Sequence, residues 1–164
     1  MKVSLNWLKD YLDISGTAEE ISDTLTALGL EASYEITGKS FTNVVLGKVI
    51  ECSPHKNADK LSVCDVDIGE GELYSIVCGA PNVENGINVP VAKVGATLNN
   101  GEFKIKQAKL RGVESNGMIC SERELAISDE HEGIMILDTK AELGTPIEEI
   151  LTFKEDTLFE IDLT

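Results

Sequence analysis

The chain has 164 residues, which is enough for one domain and a small second piece. Apolar residues make up 42% and charged residues 26%. This composition is typical of a soluble globular protein and excludes a disordered chain. Its apolar runs are shorter than the roughly 20 residues that span a bilayer, and the charged N-terminus MKVSLNWLKDYLD excludes a signal peptide, so we expect a cytoplasmic protein. The net charge of −15 argues against nucleic acid as a partner, because an acidic surface repels a polyanion.

The charge is distributed unevenly along the chain. Residues 122–164 contain 13 acidic and 3 basic residues, a net charge of −10. Residues 40–121 contain 9 acidic and 8 basic residues, a net charge of −1. The middle of the chain is therefore nearly neutral and its cations are clustered, which weakens the argument against a nucleic-acid partner.

The first segment has the apolar spacing of two helices. Ser4 is predicted to cap a short helix that continues to Leu12, with Trp7 packed in the core. Thr17 and Glu20 match a capping box at the start of the second helix. Gly29 stands where a C′ glycine ends such a helix. One apolar stripe is predicted on the second helix, formed by Ile21, Leu25 and Leu28.

From about Val44 the apolar period changes from 3.6 to 2. Strands are predicted at residues 45–50, 61–68, 73–78, 88–92, 103–111 and 133–137, with a polar loop at 53–59 and a tight turn at 69–72. About five short strands with regularly spaced turns indicate a small barrel.

The C-terminal residues change character again. A short helix is predicted at 146–151 and an alternating strand at 158–163. We expect that strand to pair with the N-terminal segment, so that the barrel is inserted in another small domain. The predicted class is mainly β, α+β overall: a five-stranded barrel at residues 40–151 inserted in a split α/β domain of residues 1–39 and 152–164.

The segment from Glu102 to Arg111 carries most of the clustered positive charge. Its four cations are Lys104, Lys106, Lys109 and Arg111. Because the alternation slips by one residue after Ala108, a bulge near Gln107 would turn all four to one face. Such a face can follow a phosphate backbone; the alternative is a solvated strand face without a ligand.

Other polar residues carry weaker signals. The cysteines at 52, 64, 78 and 120 lack metal-ligand spacing and are predicted to be buried free thiols. His55 and His131 stand alone in polar loops without a nucleophile at a suitable spacing. Residues 129–132 are either an exposed acidic turn or a cation site. No catalytic or metal-binding constellation is predicted.

Four segments in this order resemble the EMAP-like tRNA-binding domains: 54-PHKNADKL-61, 77-VCGAPNV-83, 89-VPVAKVGA-96 and 106-KQAKLRGVESNGMICSE-122. The resemblance covers about residues 44–137 and implies a five-stranded OB barrel that binds tRNA with little sequence specificity. The predicted RNA-binding residues are the four cations, with contacts from the following loop: Lys104, Lys106, Lys109, Arg111, Ser115, Asn116 and Met118. The acidity of the whole chain predicts weak, salt-sensitive binding.

The flanks, at 1–11, 25–31 and 159–164, resemble the phenylalanyl-tRNA synthetase β-subunit family. That resemblance implies an OB module interrupting a small α/β domain, and a longer protein of which this chain is the N-terminal part. It also implies a partner α subunit in a heterotetrameric ligase of protein biosynthesis. ATP, magnesium and the aminoacylation and editing sites would then belong to the rest of the enzyme, leaving this chain non-catalytic and without a cofactor. One departure is Glu124-Leu125-Ala126, where the family pattern has Glu-Leu-Gly.

Two alternatives remain open. The chain is either part of the synthetase subunit or a free-standing tRNA-binding or protein-interaction module, and a gene that continues past Thr164 would favour the first. An independent enzyme is disfavoured because no catalytic constellation is predicted. The expected partners are tRNA and the α subunit, without DNA or a membrane.

Overall fold

The computed structural model describes residues 1–38, 41–98, 101–151 and 155–163. It divides into two compact units, which we call the split unit (residues 1–40 and 153–164) and the central unit (residues 41–152). The structure is mainly β, as predicted, and the strand pairs of its sheets are antiparallel. Among the described helices, none is long and apolar enough to cross a bilayer.

The split unit is a three-stranded sheet with two helices. Its elements are β1 (Lys2–Ser4), α1 (Leu5–Lys9), α2 (Ala18–Ala27), β2 (Glu31–Thr37) and β11 (Asp156–Asp162). β11 is the middle strand and pairs antiparallel with both others: Leu158 lies opposite Ser4 in β1 and opposite Glu35 in β2. The expected pairing of the terminal strand with the N-terminal segment is confirmed, whereas β1 and β2 themselves were not predicted.

Both helix starts follow the predicted caps. The Trp7 N–H donates to Ser4 Oγ at 3.0 Å, but α1 ends at Lys9, before the predicted Leu12. The side chains of Thr17 and Glu20 form the predicted capping box of α2. Gly29 has a φ of +91°, and the next N–H donates back into the last turn, so the predicted C′ glycine is confirmed.

Two predictions about the core of the split unit were wrong. Trp7 is 54% exposed and contacts the Tyr11 ring at a centroid distance of 5.1 Å. Because α1 has only five residues, Leu5 is its one buried side chain. Leu28 is 75% exposed because it is the C-cap, beyond the face that packs on the sheet. The core cluster contains Leu5, Phe159 and Ile161, with Ala18, Ile21 and Leu25 packed against it.

The central unit is built on an antiparallel sheet whose order is β10-β6-β3-β4-β5, with β7 also paired to β6. Two short strands, β8 and β9, form a separate hairpin. The elements are β3 (Thr42–Pro54), β4 (Ser62–Asp67), β5 (Leu73–Cys78), β6 (Asn88–Leu98), β7 (Phe103–Lys104), β8 (Ala108–Leu110), β9 (Val113–Ser115), β10 (Gly117–Ile119) and α3 (Ile147–Leu151).

The two ends of this strand order approach each other. The Asn116 N–H, just before β10, donates to the Ser75 carbonyl in β5 at 2.9 Å. The Val77 N–H donates to Ser115 Oγ at 3.1 Å. The neighbouring strands β3 and β6 contribute to two core clusters: Leu46 is fully buried in one, and Val49 and Val91 are fully buried in the other.

Several predicted strands need correction. Residues 73–78 form a strand with the predicted limits, while β3 and β6 are longer than expected. Residues 103–111 do not form one strand; they contribute β7 and β8 to different sheets. Residues 133–137 form no strand, although Met135 N–H donates to the Cys120 carbonyl at 3.0 Å. All four thiols are free, as predicted, and Cys52 is only half-buried.

Candidate nucleic-acid interface

The cation segment, residues 102–111, is divided by one buried residue. The Ile105 N–H donates to Ala96 O at 2.8 Å, and Gly95 N–H donates to Ile105 O at 2.9 Å. Ile105 is buried and thereby holds the chain against β6. The chain then leaves β6, and β8 pairs with β9 instead. The predicted bulge in a continuous strand is therefore wrong, because two different strands provide the partners before and after Lys106.

The four predicted cations are all exposed. Lys104 lies in β7 opposite Thr97 of β6. Lys106 follows Ile105 between the strands. Lys109 lies in β8, and Arg111 lies in the β8–β9 turn with a φ of +51°. The cations therefore extend over two sheets.

The three predicted loop residues differ in accessibility. Ser115 is 3% exposed, and its hydroxyl accepts from the Val77 N–H and donates to Gly117 O at 3.0 Å. Met118 is half-buried against the core. Asn116 is half-buried, and its Oδ1 accepts from Gln107 Nε2 at 2.9 Å. RNA binding by these residues stays a prediction; Ser115 has the least accessible polar group of the three.

The Gln107–Asn116 hydrogen bond joins the cation segment to the loop. Gln107 follows Lys106 directly, so the bond places Lys106 beside the segment that precedes β10. Asn116 is fixed in turn by its backbone bond to Ser75 in β5. The structure therefore brings together Lys106, Gln107 and Asn116, whereas Lys104 lies on the β6 side.

A shallow groove of about 260 Å³ lies beside this loop, lined in part by Met118, Ser121, Glu124 and His131. The Ser121 N–H donates to the Glu124 carboxylate at 2.5 Å, and the Ser121 hydroxyl donates to the same oxygen. The Ser121 hydroxyl is thus held by a carboxylate, whereas His131 Nδ1 lies 3.1 Å from the Asp129 carbonyl oxygen. The predicted alternative of a cation site at 129–132 has no support: no cluster able to hold a metal occurs among the described residues.

Lys93 is a cation near the loop that the sequence did not single out. It lies in β6 opposite Gly117 and forms an ion pair with Glu70. The pKa of Glu70 is lowered from its ordinary value by the hydrogen bond from Lys93 and, next, by that from Tyr74. Lys93 therefore already has a carboxylate partner and is a weaker candidate for phosphate contact than the four predicted cations.

The loop at residues 55–61 packs on the β8–β9 turn. His55, read from the sequence as a lone loop histidine, is 5% exposed, and its Nε2 lies 3.0 Å from Leu110 O. Asn57 Nδ2 donates to Arg111 O at 3.2 Å. Sequence reasoning missed this contact because it joins residues more than 50 positions apart. The only available signal was that both segments match motifs of the EMAP-like domains.

Residues 44–146 match the family model described as "Putative tRNA binding domain". The match covers more than half of the chain. The chain belongs to this family of tRNA-binding domains. The matched residues include β8, β9, β10 and the loop at 55–61, so they contain every candidate contact described above.

Over its whole length, the chain is similar in sequence to β subunits of phenylalanine–tRNA ligase. The subunit of Oleidesulfovibrio alaskensis is 50% identical over 165 residues, covering 100% of this chain and 20% of that protein. The subunit of Chlorobaculum tepidum is 48% identical over 169 residues, covering 100% and 21%. The predicted resemblance to β subunits is confirmed over the whole chain, which spans about a fifth of the length of these relatives.

Among solved structures, a MetRS related protein from Pyrococcus horikoshii aligns with a TM-score of 0.47 and 21% identity, over 63% of this chain and 86% of that one.

Proposed function

We propose that this chain is the N-terminal tRNA-binding region of a phenylalanine–tRNA ligase β subunit. We assign residues 40–151, within one residue of the limits of the central unit, to an OB barrel inserted in a split α/β domain of residues 1–39 and 152–164. The five-strand sheet order, together with the hydrogen bonds that join Ser75 and Val77 to the segment before β10, supports a barrel. Identity along the entire chain supports the β-subunit origin over a free-standing module.

The observation that carries the binding site is the Gln107–Asn116 hydrogen bond. It places the cation segment beside the loop at 115–118 within a tRNA-binding family domain. Exposed lysine and arginine side chains there contact backbone phosphates, which hold a nucleic acid without reading its sequence. The acidic remainder of the chain opposes the approach of tRNA, so binding is weak and salt-dependent.

The chemistry of the full ligase belongs to parts outside this chain. The described residues contain no cluster for a metal ion, and Ser121, which lines the same groove as His131, is bonded to Glu124. We therefore assign aminoacylation, with its ATP and magnesium, to the complete cytoplasmic enzyme, which includes an α subunit. The purified chain alone should form no phenylalanyl-tRNA.

The test is a tRNA titration of wild type and the Lys106→Ala/Arg111→Ala variant at two salt concentrations. Four phosphate contacts predict a slope of log K against log salt of about −3, at roughly −0.7 per contact for single strands. The variant should lower the magnitude of the slope by about 1.4 for the same reason. Wild-type Kd should be micromolar or weaker near physiological salt, on the order of nonspecific affinities.

The matched control is Lys48→Ala/Lys140→Ala, which removes the same charge from two exposed lysines of the central unit. If the control and the variant weaken binding equally, the effect comes from net charge, and the cation segment is a solvated face. A wild-type chain that binds no tRNA at low salt would refute the proposed function itself.

A further inference from the structure

The loop at 55–61 is fixed to the β8–β9 turn by a histidine in one defined state. His55 Nδ1 accepts from the Asn57 N–H at 3.0 Å. An accepting Nδ1 carries no proton, so the proton of the neutral ring is on Nε2. Nε2 therefore donates to Leu110 O at 3.0 Å. The buried ring thus bridges the two segments with both nitrogens engaged.

Asn57 fixes the neighbouring carbonyl of the same turn. Its Nδ2 donates to Arg111 O. Arg111 has a φ of +51°, a left-handed conformation that is strained for a residue with a side chain. A strained residue keeps such a conformation when its surroundings hold it, and here the loop holds the Leu110 and Arg111 carbonyls, which flank the Arg111 Cα.

The contact also brings cations from two segments together. Lys56 and Lys60, both exposed, lie in the loop that packs on the β8–β9 hairpin (residues 108–115), which contains Lys109 in β8 and Arg111 in the turn. The acidic residues within the two segments are Asp59 and Glu114. With His55 neutral, four cations against two carboxylates leave a local charge of +2 on a chain of −15.

We propose that the loop at 55–61 and the β8–β9 turn form one two-segment surface for backbone phosphates of tRNA. Lys56 and Lys60 contact phosphates together with Lys109 and Arg111, while His55 and Asn57 are positioning residues that act through the turn. The inference rests on the proposed function and extends it to a loop outside the cation segment. Since the contacts are to phosphates, different tRNAs should bind alike.

The first experiment compares the 164-residue chain with its Lys56→Gln/Lys60→Gln variant in tRNA titrations at several salt concentrations. Loss of two phosphate contacts should reduce the magnitude of the salt slope by about 1.4 and weaken binding near 0.1 M salt about fivefold or more. Lys48→Gln/Lys140→Gln, with the same charge change on lysines outside both segments, should leave the slope unchanged.

The second experiment tests the positioning residues. Asn57→Ala and His55→Leu should increase hydrogen exchange at Gly112 and Val113 and reduce the salt slope. His55→Gln, whose amide can replace the Nε2 donor, should restore both toward wild type. A structural role alone would change stability without changing the salt slope of the folded chain. If His55→Leu fails to fold, Asn57→Ala decides the question, because Asn57 is exposed whereas the His55 ring is buried.

The outcomes separate the two proposals. A wild-type chain that binds tRNA, with the Lys56/Lys60 variant equal to the Lys48/Lys140 control, overturns the two-segment surface and leaves the proposed function intact. A wild-type chain that binds no tRNA overturns both. Wild-type exchange and salt slope in Asn57→Ala would refute the positioning role.

Discussion

Gly69 and Gly144 lie in close contact across two segments of the central unit. A Cβ on Gly69 would lie 2.5 Å from Leu143 O, and one on Gly144 would lie 2.6 Å from Ile68 O. Both glycines have a positive φ, +79° and +87°. The contact fixes the 143–145 loop next to β3, where Leu46 N–H donates to Thr145 O at 2.9 Å.

Gly69→Ala should therefore destabilise the chain more than Gly71→Ala does. Both residues lie in the β4–β5 turn with positive φ, but a Cβ on Gly71 meets nothing within 4 Å. Gly71→Ala should cost about 1 kcal/mol from conformation alone, and Gly69→Ala roughly 1–3 kcal/mol more from overpacking. Urea unfolding of both variants measures the difference, and equal midpoints would contradict the predicted clash.

Ala126→Gly should stabilise the chain. Ala126 has a φ of +53° at the position where the related pattern has glycine, so the turn is kept here with a strained alanine. Relief of about 1–2 kcal/mol, less roughly 0.4–1 kcal/mol for the freer unfolded chain, leaves a gain of up to about 1.6 kcal/mol. Ala141→Gly, at an exposed residue without positive φ, should have the opposite sign. Thermal unfolding of the pair tests this, and a lower Tm for Ala126→Gly would be inconsistent with it.

Local signals in the sequence were sufficient for the capped helix and for several strands. The Thr17–Glu20 capping box and the strand at 73–78 depend on neighbouring residues, and both are found as predicted. The pairing of β11 with β1 was also predictable, because an alternating terminal strand needs a partner. In each case the local pattern and the tertiary contacts favour the same structure.

Tertiary contacts decided where the local patterns failed. The alternation in 103–111 suggested one bulged strand, yet Ile105 bonds to β6 and Ala108 lies opposite Ser115 of β9. Trp7 is apolar, but a five-residue helix buries only Leu5. The burial of His55 depends on Leu110, which is distant in sequence. Local periodicity contains no information on which distant segment provides the partner.

Cys52 and Cys64 should form a disulfide when the folded chain meets a mild oxidant. They lie directly opposite each other in β3 and β4, with the Sγ atoms 3.5 Å apart. The Cys52 N–H donates to Asn85, as expected for a non-hydrogen-bonded pair, whose Cα separation of about 4.5 Å falls within the disulfide range. Diamide should remove one hydrogen from each thiol and leave one S–S bond.

Peptide mass mapping after alkylation measures that reaction. Burial raises the pKa of the Cys64 thiol, so the half-buried Cys52 should react first with diamide and Cys64 should then close the bond. Cys120 should stay reduced and unalkylated in the folded chain, because it is fully buried and its Sγ donates to Met118 O and not to another thiol. Cys52→Ser should abolish the crosslink. Recovery of Cys52 and Cys64 as separately alkylated residues after diamide treatment would show that the pair does not meet in solution.

Asp156→Asn should remove an acid-dependent part of the stability of the split unit. Asp156 Oδ2 accepts from Ser4 Oγ at 2.5 Å, and Oδ1 accepts from the Asn6 N–H at 3.0 Å at the start of α1. Burial alone would raise the pKa of this carboxyl, but the hydrogen bonds from Ser4, Asn6 and Thr157 outweigh it and the net pKa is lowered. The carboxylate is therefore bound more favourably in the folded state than in the unfolded one.

The sign of the pH effect follows from that lowered pKa. The unfolded chain takes up the Asp156 proton first as the pH falls below about 4, so the contribution is complete above that pH and is lost as the pH falls through the folded-state pKa. Trp7, the one tryptophan of the sequence, lies in α1, where its backbone N–H donates to Ser4 Oγ and its ring contacts Tyr11, so its fluorescence reports unfolding of this unit. Wild type should lose stability between about pH 5 and pH 3 more steeply than Asp156→Asn.

Asp162→Asn, at an exposed residue of the same strand, should keep the wild-type profile. Parallel profiles for wild type and Asp156→Asn would mean that the Ser4–Asp156 bond contributes nothing that depends on the charge of the carboxylate.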